Sequence, residues 1–201
     1  MICMIGVKKA QGFTLLELLV ATSLLVIVMS VLARIFVSFY QLQRKVANQA
    51  AIAEEMRFTM EYLVRQTRQD SIVYPTLPTA LGSKLNQISL VTGNNTPVLI
   101  GIPPNPAASC QGAVAGINCL ALSNDGGATW TPITGSRTNV TRFDVYVRPL
   151  TDPFQQTAGG YDNNIQPSVT YSISMTYDAI NPSDNITLNA QTAVTLREYV
   201  R

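Results

Sequence analysis

Hydrophobic positions divide the chain into three regimes. From Leu15 to Ala33 every residue is apolar except Glu17, Thr22, Ser23 and Ser30, and the apolar character resumes after Arg34 as far as Tyr40. Leu18 to Ala33 holds no charge, no proline and no glycine. A helix crossing a hydrocarbon core of roughly 30 Å needs about 20 such residues, and this run meets that demand. Beyond it the spacing changes: Leu42, Val46, Ala50, Ala53, Met56, Met60 and Leu63 recur every three or four positions. Arg44, Lys45, Glu54, Glu55, Arg57, Glu61, Arg65 and Arg68 fill the other side. That period predicts an amphipathic helix, with Glu61 four residues ahead of Arg65 as a favourable pair. Neither glycine nor proline occurs between Phe13 and Asp70. The two stretches therefore predict one unkinked helix of about 55 residues, roughly 80 Å long at 1.5 Å per residue.

The third regime is β-like. Ile72-Val73-Tyr74 ahead of Pro75 and Pro78 reads as the helix exit, and residues 75–87 as a loop. Ile88–Val91 and Val98–Ile100 read as short strands around the turn Gly93-Asn94-Asn95-Thr96-Pro97. Residues 102–116 read as loop. Cys119–Trp130 has apolar ends around Asp125-Gly126-Gly127 and predicts a tight hairpin. Phe143, Val145 and Val147 alternate with Asp144, Tyr146 and Arg148, a period-two strand. After a second long loop, Val169, Tyr171, Ile173, Met175 and Tyr177 alternate with Thr170, Ser172, Ser174 and Thr176. Past Asn181–Asn185 a last strand, from Ile186 to about Leu196, completes an antiparallel hairpin with it.

Glu17 breaks the apolar run. A carboxylate there costs on the order of 3 kcal/mol at mid-membrane by insertion scales, so its presence calls for a reason. Lys8-Lys9-Ala10-Gln11, then Gly12-Phe13-Thr14-Leu15-Leu16-Glu17, then the long apolar helix, resembles the class III signal of type IV pilins and pseudopilins. The resemblance covers about the first quarter of the chain and implies a processing route. A membrane prepilin peptidase would cut between Gly12 and Phe13, and the new terminal Phe13 would be N-methylated. Lys8 and Lys9 would supply the positive charge of the leader on the cytoplasmic side. Glu17, the fifth mature residue, would pair with the terminal ammonium of a neighbouring subunit, which neutralises two charges that lipid solvates badly.

Other readings of the run are an ordinary secretory signal cut after Val31-Leu32-Ala33, a plain single-span anchor, and a buried helix of a soluble protein. The run is too long for the first and carries a glutamate. The second leaves Gly12 and Glu17 without a role. For the third, no other stretch is apolar enough to cover such a helix.

The implied organisation is a leader at 1–12, a membrane or filament-core half-helix at 13–40, an amphipathic half at 41–70 and a β-rich domain at 71–201. The fold class expected is α+β and pilin-like, a long N-terminal helix packed on an antiparallel sheet. The chain would sit in the cytoplasmic membrane as a single-pass protein with its C-terminal domain outside. It would then enter an extracytoplasmic filament, with other pilins or pseudopilins and an inner-membrane assembly platform as partners. Size, a Thr/Ser/Asn-rich domain and the unbroken helix resemble minor pilins of the W type and J-type pseudopilins more than small major pilins. The alternative is a membrane-anchored binding or adhesion domain that does not polymerise.

Composition narrows the chemistry. Charged residues are 13% against about 25% in typical soluble domains. Removing Lys8 and Lys9 from the 14 basic side chains leaves them equal in number to the 12 acidic ones. A neutral mature chain lacks the basic face of a dedicated nucleic-acid binder. Histidine is absent, which removes the commonest general base and zinc ligand. No nucleophile elbow or phosphate-binding loop appears, so no enzyme is expected.

Cys3 falls in the leader, and Cys110 with Cys119 reads as a disulfide if the domain lies outside the cytoplasm. Ser123, Asp125, Gly127, Thr129 and Trp130 resemble the Asp-box of sialidase-type propellers, a hairpin-stabilising device without catalytic duty. One copy makes no propeller, and Trp130 is expected in the core. Asp152, Asp162, Asn163 and Asn164, and again Asn181, Ser183, Asp184 and Asn185, offer oxygen ligands of the kind calcium takes. The same residues populate ordinary turns, and neither metal nor cofactor is expected.

Overall fold

The computed structural model describes residues 12, 14–74, 84–110, 116–153, 156–157, 160–161 and 165–196. Helix α1 runs from Leu15 to Gln69, 55 residues without interruption, as the absence of glycine and proline requires. Two compact units divide within it, residues 1–44 and 45–201. In the first, every described residue from Thr14 to Gln43 is exposed.

The second unit packs the remainder of α1 on antiparallel sheets. Strands β1 (Ser71–Ile72), β2 (Gln87–Val91) and β3 (Pro97–Gly101) are followed by a short helix, α2 (Pro106–Ser109). Then come β4 (Ala121–Ser123), β5 (Thr131–Pro132) and β6 (Thr138–Arg148). The ribbon β7 (Gln156–Thr157) and β8 (Gly160–Tyr161) precedes β9 (Ser168–Tyr177) and β10 (Ile186–Thr195). One sheet is a five-stranded meander in the order β1-β2-β3-β4-β5, and the other has the order β10-β9-β6. They meet where Leu85 pairs with Val145, each N–H donating to the other's carbonyl at 3.0 and 2.9 Å.

One core serves both sheets and the helix. Ile52, Met56 and Leu63 of α1 pack with Ile88, Leu90 and Ile100 of the meander and with Val145, Tyr171, Ile173 and Met175 of the other sheet. The strict alternation of β9 puts Val169, Tyr171, Ile173 and Met175 inside, as its period of two demands. At Gly101 a side chain is sterically excluded, because a Cβ would lie 2.6 Å from Cβ of Gln87 on the paired strand.

Several expectations are corrected. The buried face of α1 is Ile52, Met56, Thr59, Leu63 and Thr67. Of the expected stripe, Met56 and Leu63 are buried and Met60 is half-buried, whereas Leu42, Val46, Ala50 and Ala53 are exposed. Periodicity identified a helix but not which of two rows the sheet would cover, since Thr59 and Thr67 are polar by type. Residues 102–116 are not all loop, for Pro106 starts the single turn of α2, where its missing N–H is harmless. The segment 119–130 is no tight hairpin: Ala121 pairs with Pro132 and Leu122 with Thr131 around a long loop. Trp130 is half-buried against Cys110, Cys119 and Ala121 rather than in the main core.

Strand β6 is longer than its alternating core, and its register slips between Val140 and Arg142. The extra residue lets both Val140 and Phe143 point inward. Asp144 is buried, covered by Arg142 and by Lys84 at 3.8 Å.

Candidate functional site

Thr14 and Glu17 build the start of α1. The Glu17 N–H donates to Thr14 Oγ1 at 3.3 Å and the Leu18 N–H to the Thr14 carbonyl at 3.2 Å. Thr14 is thus the N-cap and Glu17 the third helical residue, the spacing of a capping box. A carboxylate in the first turn also opposes the positive end of the helix dipole. This local role is legible in Thr14-Leu15-Leu16-Glu17 and comes in addition to the intermolecular one that the resemblance implies. Glu17 is exposed, so capping leaves its carboxylate accessible to a neighbour. Gly12 lies just ahead of the cap, while Lys8, Lys9 and Phe13 fall outside the described residues.

The helix that follows suits an apolar medium. It is long and apolar enough to cross a membrane, with none of that window buried. Three of its hydroxyls are satisfied internally: Thr22 Oγ1 donates to the Leu19 carbonyl at 3.0 Å, Ser23 Oγ to Val20 and Ser30 Oγ to Ile27 at 2.8 Å each. Polar atoms so bonded avoid the cost of an unpaired donor in hydrocarbon. Near the end of the run the Arg44 guanidinium lies over the Tyr40 ring, 5.8 Å from its centroid. An aromatic with a cation suits a membrane–water boundary.

The remaining described candidates lie in the β-rich unit. Cys110 and Cys119 form a disulfide, S–S 2.01 Å. The Asp125 carboxylate accepts from Ser123 Oγ at 2.7 Å, from the Thr129 N–H at 2.9 Å and from Thr129 Oγ1 at 2.5 Å. Ser123 Oγ accepts the Gly127 N–H at 2.8 Å, and Trp130 Nε1 donates to the Gly127 carbonyl at 3.0 Å. Gly126 and Gly127 take φ of 74° and 100°, which side chains other than glycine rarely adopt. The donors converging on Asp125, the Thr129 hydroxyl first, hold its carboxyl well below the usual carboxylate range. The side chains of Ser123, Asp125, Thr129 and Trp130 are thereby used in holding the loop's shape.

For calcium, Asp162, Asn163 and Asn164 lie outside the described residues. Asp184 is buried in a turn of 3-10 helix, Pro182–Asp184. No group of three acidic, cysteine or histidine residues that could hold a metal occurs among the described residues.

No curated protein and no solved structure matches the chain. The family described as "Prokaryotic N-terminal methylation motif" matches residues 7–33. That span begins ahead of Gly12, takes in the Thr14–Glu17 cap and ends within the exposed apolar helix. The chain therefore carries the class III prepilin signal of type IV pilins and pseudopilins, at the start of a long helix, apolar in its first half, whose later residues pack on antiparallel sheets.

Proposed function

We propose that this protein is a minor structural subunit of a type IV pilus or a type II secretion pseudopilus. Prepilin peptidase cuts between Gly12 and Phe13, Phe13 is N-methylated, and the apolar part of α1 holds the mature chain in the cytoplasmic membrane until assembly. On extraction the helix is re-buried among the helices of other subunits, since an apolar surface leaving lipid is stable only against others like it. Glu17 sets the register of docking by meeting the terminal ammonium of a neighbour. The observation that carries this reading is the methylation motif at residues 7–33 running into a fully exposed apolar helix.

N-terminal mass analysis of the full chain coexpressed with prepilin peptidase tests it. A mature chain starting at Phe13, with an added methyl where the methyltransferase is active, supports the reading. A start at Arg34 would mean ordinary secretion, and an intact Met1 a simple anchored protein. Either would overturn it.

A further inference from the structure

The disulfide and the Asp125 loop meet at one indole. Cys110 and Cys119 are 5% and 2% exposed, yet they lie outside the main core, in a small cluster with Ala121. Trp130 is the partly buried hydrophobic residue packed on that cluster among the described residues. The sulfur is fixed from the strand side, where the Cys119 N–H donates to Cys110 Sγ at 3.1 Å. Cys110 itself caps α2, its N–H bonded to the Pro106 carbonyl at 2.8 Å.

Trp130 is held from the loop side. Its ring N–H donates to the Gly127 carbonyl, and Gly127 is itself confined. A Cβ there would lie 3.4 Å from Leu99 Cδ1 and 3.8 Å from Trp130 Cζ2. The Gly127 N–H is bonded to Ser123, and Ser123 to Asp125, whose carboxylate also takes Thr129. A continuous set of contacts thus runs from the Asp125 carboxylate through Ser123 and Gly127 to the indole, and from the indole to the disulfide. The loop is anchored lightly at its base. Strands β4 and β5 pair at Ala121–Pro132 and Leu122–Thr131, and β5 is the last described strand of its sheet. A unit bonded mainly within itself opens at lower free energy than the whole domain unfolds.

Reduction of a disulfide requires a thiolate to reach one sulfur and displace the other, so access governs its rate. We propose that residues 124–130 form a cover that shields the Cys110–Cys119 disulfide from external thiols, and that exchange at this bond proceeds through opening of the loop and not through unfolding of the β-rich unit. Asp125 is the latch of this cover and the Trp130 indole its lid. An oxidising partner needs the same sulfurs, so the cross-link has to be made before the loop closes. This role gives the segment resembling an Asp-box a function of its own, independent of the pilin reading.

The test measures reduction of the full chain in detergent by dithiothreitol, without denaturant and with Cys3 blocked beforehand by N-ethylmaleimide. One reductant thiolate attacks a sulfur and the second cysteine leaves as a thiolate. Ring closure of the reductant then frees the first, so two electrons pass to the cysteines and the reductant becomes its cyclic disulfide. Iodoacetamide traps the freed thiols for counting by mass, and far-UV circular dichroism establishes beforehand that each variant is folded. Asp125→Asn and Trp130→Ala should each speed reduction roughly tenfold, with Trp130→Phe between wild type and Trp130→Ala. Leu63→Ala, which weakens the main core outside the disulfide's cluster, should leave the rate within about twofold. Thr67→Val replaces it if Leu63→Ala does not fold. Equal acceleration in the core variant would place the route in global unfolding and overturn the proposal. So would an unchanged rate in either Asp125→Asn or Trp130→Ala, or a wild-type disulfide reduced as fast as oxidised glutathione.

Discussion

Thr67 of α1 and Tyr171 of β9 meet in the core with their hydroxyl oxygens 2.5 Å apart. Thr67 Oγ1 donates to the Leu63 carbonyl at 2.7 Å, so its single proton is committed and Tyr171 is the donor between them. Both residues are fully buried. Burial raises the phenol of Tyr171 above its ordinary range, which keeps the donor protonated. The pair ties the helix to the central strand of the second sheet, and its two halves are unequal. Tyr171→Phe removes a donor while Thr67 keeps Leu63, a loss of about 1 kcal/mol. Thr67→Val strands the buried phenol and should cost about 1–3 kcal/mol. Urea unfolding of the detergent-solubilised chain, followed by Trp130 fluorescence, should rank Thr67→Val as the more damaging. The reverse order would refute the assignment of donor and acceptor.

The two rows of α1 predict a second contrast. Leu63 is fully buried, whereas Val46 is 57% exposed. Leu63→Ala should lower stability by about 2–5 kcal/mol, and Val46→Ala should stay within about 0.5 kcal/mol in the unassembled chain. Equal losses would mean that the exposed row is covered in the free protein.

Glu55 fastens the helix to the start of β6, its carboxylate accepting from the Gly135 N–H and from Thr138 Oγ1. Thr138 is fully buried. Glu55→Ala leaves that hydroxyl without its acceptor and should cost about 1–3 kcal/mol. Glu55→Gln keeps an acceptor oxygen and should recover part of the loss. Thermal unfolding of the three chains side by side decides it, and no recovery in Glu55→Gln would show that the carboxylate's geometry is not what matters.

Asp125 makes the β4–β5 loop sensitive to acid. Its folded pKa is lowered, so its contribution to stability is present above the unfolded value of about 4 and is lost as pH falls below it. Trp130 fluorescence melting curves should therefore shift downward between neutral pH and about pH 3. Asp125→Asn should flatten that component and start from a lower melting temperature at neutral pH. An unchanged pH slope in the variant would locate the acid sensitivity elsewhere.

Glu17→Ala tests the assembly role under the proposed function. The cap through Thr14 remains available, so membrane insertion and the cut before Phe13 should persist. Incorporation into filaments should fall to background. Immunoblotting of membrane and sheared-filament fractions measures both, and normal incorporation would refute a role for Glu17 in docking.

Much of this architecture was already written in local pattern. The absence of glycine and proline from Phe13 to Asp70 determined α1, and the spacing Gly12-Phe13-Glu17 ahead of an apolar run determined the signal. Strict alternation determined β9 and its inward row, because a period of two allows a single buried face. The hairpin with β10 followed from the turn at Asn181–Asn185. Tertiary structure decided the rest, wherever burial depended on a partner distant in sequence. Thr59 and Thr67 entered the core, and Val46 did not, because the sheet crosses the helix on one side. Asp144 is buried because Lys84 and Arg142 reach it, and Trp130 rests on the disulfide instead of the main core. The outermost place of β10 among the described strands of its sheet is likewise invisible in its own residues, since it depends on strand order.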